Sequence, residues 1–207
     1  MDVTASPFRS TRTNDGERRE KRQALLVAAV RMFNERGFHA TSLEDVAASL
    51  GVTKPVIYHH LGNKEQVLFE CVRLGLAELS LGAEQAKATT GTGLDRLKTF
   101  LRSYAESVMG DFGKCVIRTG DELLSPQSRI DLRALKSEID ATLRGLIEEA
   151  VADGSANVSD VRLTAFTFAG ALNWPARWFR PDGELGSRDM AHRLVEVLCN
   201  GIMPKTA

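Results

Sequence analysis

Apolar residues along most of the chain recur every three to four positions, which is the spacing of one face of an α-helix. The first such stretch runs from Glu17 to Arg36 and ends at Gly37. No segment shows the strict alternation of a half-buried strand. The pattern therefore predicts an all-α fold. Helices are expected over residues 17–36, 43–50, 54–61, 63–81, 94–109, 115–124, 127–153, 160–179 and 187–202.

Two short predicted helices lie on either side of Gly51. Ser42 fits the N-cap of the first, with Asp45 three residues later as its capping-box partner. Thr53 fits the N-cap of the second, and Pro55 stands near its start, where a missing N–H group costs least. Two such helices form a helix-turn-helix, and the long helix before them completes a three-helix domain.

The second helix of this motif carries polar side chains for which a buried core has little use. In a helix-turn-helix that binds DNA, this helix enters the major groove with its N-terminal residues against base edges. The polar and outward-facing residues are Lys54, Pro55, Tyr58, His59 and His60. Lys64 opens the next helix, where the helix dipole disfavours a cation, and a phosphate docked there would explain it.

Basic residues are concentrated in the same segment. The whole chain carries 27 Lys+Arg and 27 Asp+Glu, so it is not a general polyanion binder. Residues 18–64 nevertheless contain eight basic residues and four acidic ones. The surplus favours DNA as a partner. The alternatives are a solvated basic helix face and a plain structural corner.

Composition and motifs argue against an enzyme or a membrane protein. The 207 residues are 43% hydrophobic and 26% charged, as in an ordinary globular protein. No nucleophile elbow, P-loop, HExxH or GxGxxG motif is present, so no catalysis, metal or cofactor is expected. Cys71, Cys115 and Cys199 lie in apolar helical contexts, which favours inert buried thiols over a redox sensor. No apolar run approaches the ~18 residues that span a bilayer and no secretory signal is recognisable, so a cytoplasmic location is expected.

The chain divides into three parts. Residues 1–16 are polar without periodicity and are expected to be a disordered arm. Residues 17–63 form the helix-turn-helix domain, and residues 64–207 form a larger helical bundle. The helix over 160–179 is apolar nearly all round, so it must be covered on several sides. Together with 187–202 it is expected to form a four-helix homodimer interface, the alternative being the central helix of a monomeric bundle.

One continuous stretch reads ALLVAAVRMFNERGFHATSLEDVAASLGVTKPVIYHHLGNKEQVL, with a tyrosine in the third predicted helix and a lysine at the start of the fourth. This stretch closely resembles the DNA-binding domain of the tetracycline-repressor (TetR) family. The resemblance implies a homodimer whose third helices read a palindromic double-stranded DNA operator, one DNA turn apart. The residues implied to hold phosphates are Ser42, Tyr58, His60 and Lys64. The residues implied to face bases are Lys54, Pro55 and His59, and Thr53 completes the DNA-binding set.

Position 44 departs from the tetracycline repressor itself. That repressor has a guanine-reading arginine near the start of the second helix, where this chain has Glu44. A carboxylate is an acceptor and cannot make the same contact. A different operator is therefore expected.

The stretch NWPARWFRPDG is the other unusual one. Trp174 and Trp178 lie four residues apart on one helix face, with Arg177 beside them and Pro175 expected to kink the helix. Such groups can stack on an adenine and grip phosphates, although cation–π packing at a helix end is the simpler alternative. The stretch resembles one in TetR-family members that respond to acyl-coenzyme A thioesters of lipid or aromatic-acid breakdown. The expected ligand-contacting residues are Arg118, Phe166, Gly170, Asn173, Trp174, Arg177 and Trp178.

Linkage between two binding sites then suggests how such a protein is regulated. A ligand among the helices of the third quarter of the chain is expected to shift the fourth helix, so that the two reading heads lose the spacing that the operator requires. A hundredfold release needs only ~2.7 kcal/mol of coupling between the sites. Two alternatives stay open: a drug-responsive repressor of an efflux pump, and a surface ion pair between Arg118 and Asp121 or Glu122.

Overall fold

The computed structural model describes residues 15–200, and every regular element in that range is helical. The helices are α1 Asp15–Arg36, α2 Leu43–Ser49, α3 Lys54–Leu61, α4 Lys64–Ala88, α5 Gly93–Met109, α6 Asp111–Arg118, α7 Pro126–Ala152, α8 Val161–Asn173, α9 Pro175–Trp178 and α10 Ser187–Asn200. The prediction of an all-α fold is confirmed. Of the predicted arm, residues 1–14 lie outside the described range, as does the end of the last predicted helix. Within residues 15–200, no helix is long and apolar enough to cross a bilayer.

The chain forms two compact units. The first comprises the described residues up to Cys71 together with Gly120–Ser125, and the second comprises Val72–Thr119 and the described residues from Pro126 onward. The sequence-based boundary after residue 63 falls at the loop before α4. The first two turns of α4 nevertheless pack with the first unit, where Val67 and Leu68 are buried.

Local signals shape the corner between α2 and α3. The predicted capping box is present: the Asp45 N–H donates to Ser42 Oγ at 3.0 Å, and the Ser42 N–H donates to the Asp45 carboxylate at 3.3 Å. A cap of this kind contributes about 1 kcal/mol. Gly51 has a φ of +65°, the left-handed conformation that glycine adopts at little cost. Ala47 and Ile57 are buried at this corner, and α1 packs against both short helices.

Helix α5 is the centre of the second unit. It packs against α6, α7, α8, α9 and α10. Its inward face, predicted from the spacing of Leu97, Leu101, Tyr104 and Val108, is buried. Each fully buried leucine or phenylalanine contributes about 1.5–3 kcal/mol through removal of apolar surface from water.

Three predicted helices differ from the structure by more than two residues, and α1 begins at Asp15, within the predicted arm. Helix α6 spans Asp111–Arg118 and not 115–124. Gly113, a residue type that usually weakens a helix, lies inside α6, where a Cβ would collide with the Ser107 carbonyl oxygen of α5. The segment after α6 is only a short 3-10 turn, Asp121–Leu123. Helix α4 continues to Ala88, beyond the predicted residue 81. Where one kinked helix was predicted, α8 ends at Asn173 and α9 begins at Pro175, because proline lacks the N–H that would continue the helix.

Candidate nucleic-acid interface and effector cavity

The outer face of α3 displays the polar residues that the sequence singled out. The helix begins after Thr53, which has the extended backbone of an N-cap, and Pro55 stands in its first turn. The exposed residues of α3 are Lys54, Pro55, Tyr58 and His59, whereas Ile57 and Leu61 are buried. This division is the one that a helix needs if it is to lie in a DNA groove while its other face packs on its own domain.

A carboxylate from α2 organises two of these side chains. Lys54 Nζ lies 2.5 Å from Glu44 Oε1, and the Tyr58 hydroxyl donates to the same oxygen at 3.3 Å. Lys54 Nζ also lies 5.5 Å from the centre of the Tyr58 ring. The hydrogen bond from Lys54 lowers the pKa of Glu44, and the Glu44 carboxylate raises the pKa of Lys54. Both groups are therefore charged at neutral pH and hold each other on the exposed surface.

Three further predicted DNA-contacting residues have different local roles. The Ser42 hydroxyl caps α2. Thr53 is exposed and its side chain makes no capping hydrogen bond. Lys64 Nζ lies 4.2 Å from the centre of the Phe38 ring and donates to the His39 carbonyl at 3.5 Å. These contacts account for a lysine at the start of α4 without a bound anion, so the phosphate role of Lys64 stays a prediction.

The two histidines at the end of α3 have different surroundings. His59 is exposed, whereas His60 is half-buried. Their ring centroids are 5.2 Å apart in an edge-to-face arrangement. Burial, followed by the charges of His59, Arg18, Lys21 and Arg22, lowers the pKa of His60. His60 is therefore neutral at pH 7 and lies beside the basic residues of α1.

The second unit contains a cavity of about 410 Å³. Its wall is formed by α4, α5, α6, α7 and α8, together with Thr119 just after α6. The aliphatic part of the wall consists of Leu76, Leu79, Val116, Ile117, Ile139 and Leu143. A mainly apolar cavity of this volume, with a few polar groups at fixed places, is typical of small-molecule sites.

Polar groups interrupt the aliphatic wall at three places, one of which is Thr119. At the first, the Tyr104 hydroxyl donates to Asn173 Oδ1 at 3.0 Å, and burial raises the pKa of Tyr104 to about 12. At the second, Lys136 and Asp140 stand one turn apart on α7. Arg144 pairs with the Asp140 carboxylate. The wall thus presents three uncharged polar side chains and two charged ones to an otherwise apolar ligand: Tyr104, Thr119, Asn173, Lys136 and Asp140.

Two of the seven predicted ligand-contacting residues, Phe166 and Asn173, line this cavity. Arg118 is not part of its wall. Its guanidinium donates to the Ala176 carbonyl from Nε at 3.0 Å and from Nη2 at 2.7 Å, and so connects α6 to α9. The other four, also outside the wall, are exposed: Gly170, Trp174, Arg177 and Trp178. A ligand-contacting role for these five residues stays a prediction.

Sequence reasoning missed most of the cavity wall. Tyr104, Ile139 and Leu143 have the spacing of ordinary core residues, and no local signal separates a core residue from one that faces a cavity. The available signal was on α7. There Lys136 and Asp140 place charges next to an apolar stripe that a packed core would keep free of them.

The cysteines are poor candidates for a sensor. Cys71 and Cys115 are buried and Cys199 is half-buried. Burial raises the pKa of Cys115 to about 11 and also raises the pKa of Cys199. A thiol with a raised pKa carries little thiolate at neutral pH, so neither of these two is activated for oxidation.

Two family models match the chain. The model of bacterial regulatory proteins of the tetR family matches residues 25–71, and that of the tetracyclin repressor-like C-terminal domain matches residues 90–202. The first match covers the helix-turn-helix, and the second covers most of the unit that contains the cavity. The chain therefore belongs to the TetR family of bacterial transcriptional regulators, and the resemblance inferred from the sequence is confirmed.

Individual relatives agree with this assignment. The transcriptional repressor KstR2 of Mycolicibacterium smegmatis is 28% identical over 186 residues, which cover 88% of this chain and 90% of the relative. The solved structure of the TetR-family regulator PfmR of Thermus thermophilus superposes on this chain with a TM-score of 0.79. The two sequences are 31% identical, and the match covers 87% of this chain and 99% of the PfmR chain. AibR, solved in complex with isovaleryl coenzyme A and operator DNA, is 26% identical over 86% of this chain and 98% of its own, with a TM-score of 0.75. Two of these relatives are named as transcriptional regulators, and the third was solved with operator DNA.

Proposed function

We propose that the protein is a cytoplasmic transcriptional repressor that binds a palindromic operator as a homodimer and leaves it when an acyl-coenzyme A thioester binds the second unit. One observation carries the proposal. The same chain has a helix with an exposed, charged reading face and, in another unit, an aliphatic cavity with few polar groups. A ligand-responsive DNA-binding protein needs both, and the family assignment supports their combination.

The reading face predicts a particular kind of base contact. Lys54 can donate to guanine O6 or N7, and Glu44 can accept from cytosine N4. Since the two side chains are 2.5 Å apart, they can address neighbouring positions of one half-site. We expect each half-site to contain a G·C base pair that faces Lys54 and Glu44, and the centres of the two half-sites to be about 34–36 Å apart.

Exposed apolar residues support dimer formation through α8 and α10. Leu163 on α8 is 63% exposed and Val197 on α10 is 59% exposed. Both helices also pack against α5. Exposed apolar residues of this kind are stabilised when a second copy covers them, and a two-fold axis pairs the same surface on both copies.

The cavity suits an acyl group better than a cationic drug. Its wall is mainly aliphatic, and its one carboxylate, Asp140, is already paired with Arg144. A volume of about 410 Å³ accommodates an acyl chain but not a whole coenzyme A thioester. The named ligand of AibR, isovaleryl coenzyme A, has such a short apolar acyl group.

The coenzyme portion would then lie outside the cavity, beside α9. Asn173 lines the cavity and is followed directly by the exposed Trp174. Arg177 and the 43%-exposed Trp178 lie on the same short helix, where a ring and a guanidinium can contact an adenine and a phosphate.

Close packing between α4 and α6 offers a route from the cavity to the reading head. A Cβ on Gly75 of α4 would stand 2.6 Å from the Phe112 carbonyl oxygen and 2.6 Å from Val116 Cγ2. Val116 lines the cavity, so a ligand that displaces it must also displace α4. The other end of α4 carries Lys64. Chain connectivity adds a second route, because pocket-lining Thr119 leads into the segment whose Ser125 N–H donates to Glu65 of α4.

The decisive experiment combines two assays on the purified protein. In vitro selection from randomised duplexes should yield a palindrome, called here the selected duplex. A panel of acyl-coenzyme A thioesters should then raise the melting temperature of the dimer and release it from that duplex. Matched free fatty acids should do less, because they lack the coenzyme, and Trp178→Ala should reduce the difference.

Three outcomes would change the proposal. Stabilisation by hydrophobic drugs and by no thioester would favour the efflux-pump alternative. A monomer in native mass spectrometry would contradict the palindromic operator. Ligand binding in the cavity without any change in affinity for the selected duplex would remove the coupling.

A further inference from the structure

A second basic surface of the first unit adjoins the base-reading face at the end of α3. Arg18, Arg19 and Arg22 of α1 and His60 of α3 line a shallow depression of about 460 Å³. The three arginines are neighbours on α1, whereas His60 is almost forty residues further along the chain, and the packing of α1 against α3 brings it beside them. Arg18 and Arg19 are exposed, whereas Arg22 and His60 are half-buried.

The basic side chains around the depression outnumber the carboxylates that pair with them. Arg22 pairs with Glu70 at 3.2 Å, and the neighbouring Lys21 lies 3.9 Å from Glu17. The exposed Arg18 and Arg19 remain at the rim. The lowered pKa of His60 is consistent with this, because Arg18, Lys21 and Arg22 are all among its causes after burial. Like charges held together by helix packing repel one another, and a bound anion relieves that repulsion.

The depression is continuous with the predicted reading face. The His60 ring packs edge-to-face on the ring of His59, and His59 is exposed on the same helix as Lys54 and Tyr58. A duplex that receives the start of α3 in its major groove has a phosphate backbone along each side of that groove. In that arrangement the end of α3 would lie near one of these backbones, with the depression next to the end of the helix.

We propose that this depression binds a backbone phosphate of the operator, outside the bases that α3 reads, with Arg18 and Arg19 as the principal donors. The inference rests on the proposed function. Arginine suits the role because its planar guanidinium matches two phosphate oxygens at once. His60, neutral and half-buried, orients the pocket and donates one ring N–H. The contact carries no sequence information and sets the register of the protein on the duplex.

The test uses Arg18→Ala, Arg19→Ala and a matched control on the same helix. Arg31 is exposed and lies nine residues after Arg22, or two and a half turns, so it is on the opposite face of α1. Dissociation constants for the selected duplex are measured over a range of salt concentrations. Each lost phosphate contact should reduce the slope of log K against log salt by about 0.9, hence by about 1.8 for a dimer. Arg31→Ala should leave the slope unchanged.

A second measurement locates the phosphate. Single backbone phosphates of the selected duplex are replaced one at a time by neutral methylphosphonates. One replacement, outside the bases that specify the site, should weaken the wild-type protein several-fold and leave Arg18→Ala and Arg19→Ala almost unaffected. Circular dichroism and melting temperature confirm that the variants are folded.

The outcomes separate this inference from the proposed function. If wild type selects a palindrome and both α1 variants retain its slope, the phosphate site is wrong and the repressor proposal stands. If inorganic phosphate stabilises wild type but neither variant, with no change in DNA binding, the depression takes a free anion and the inference is again overturned. If wild type selects no duplex, the proposed function itself fails.

Discussion

The two units of this protein expose and bury opposite kinds of residue. In the first, the candidate functional groups are polar and stand on the surface: Lys54, Tyr58 and His59 on α3, with Glu44 beside them. In the second, the candidate site is an internal space with an aliphatic wall, and the surface carries apolar residues such as Leu163 and Val197. A surface site can be built from one short helix, whereas a cavity requires several helices at once.

This difference determines how each site responds to change. An exposed side chain on α3 can be replaced with little effect on stability, because it is not part of the core of the first unit. A side chain of the cavity wall also belongs to the core that α5 organises, so its replacement alters packing as well as ligand contact. The following experiments test whether the two units can be perturbed separately.

The largest effect is expected from breaking the dimer. Leu163→Arg together with Val197→Arg places charges in the proposed interface, so the protein should become monomeric. Loss of the second half-site contact should weaken binding to the selected duplex more than about 100-fold. Analytical ultracentrifugation and DNA titration measure the two effects. Ile130→Arg is the control, since Ile130 is 61% exposed on α7; monomer formation by this variant alone would show that the interface has been placed on the wrong face.

The next effect should appear in the first unit alone. Lys54→Ala removes a donor from the reading face and should cost about 1–3 kcal/mol of affinity for the selected duplex per protomer. Thioester binding should not change. Lys87→Ala, an exposed lysine in the last turn of α4, controls for lost charge. Equal losses from the two variants would mean that Lys54 acts only through net charge.

The corresponding change in the second unit fills the cavity. Ile139→Trp adds volume to the wall and should weaken thioester binding about 10- to 100-fold, in line with overpacking costs of about 1–3 kcal/mol. Calorimetry measures ligand binding, and affinity for the selected duplex should remain close to wild type. The control is Ala141→Trp, at an exposed position of the same helix. A variant that still releases DNA at the wild-type thioester concentration would exclude this cavity as the effector site.

The smallest effect tests the connection between the units. Gly75→Ala puts a methyl group where α4 meets the α6 backbone, so α4 must move even without ligand. Affinity for the selected duplex should fall several-fold and the melting temperature should decrease. Gly145→Ala, at a helical glycine with open space around it, should stabilise the protein by about 0.5–1 kcal/mol and leave DNA binding unchanged. Unchanged DNA affinity in Gly75→Ala would contradict coupling through this contact.

Local sequence patterns are sufficient to predict the local structure of the first unit. The Ser42–Asp45 capping box, the turn at Gly51 and the exposed residues of α3 all follow from interactions within four residues, so a one-dimensional pattern contains them. The apolar spacing of α5 likewise predicted its buried face. The sequence pattern was less accurate for α6. Gly113 lies inside that helix and leaves room for the backbone of α5, a contact that the local pattern does not contain.

The positions of the functional groups of the second unit depend on tertiary packing. The cavity is the volume left between side chains from residue 76 to residue 173, and its position depends on how five helices pack. Packing within the second unit also turned Arg118 toward the Ala176 carbonyl, and packing of α1 against α3 in the first unit brought Arg18 beside His60. Helical spacing specifies which face of a helix is buried, but it does not specify what that face meets. The partners of Arg118 and His60 therefore appeared only in the folded chain.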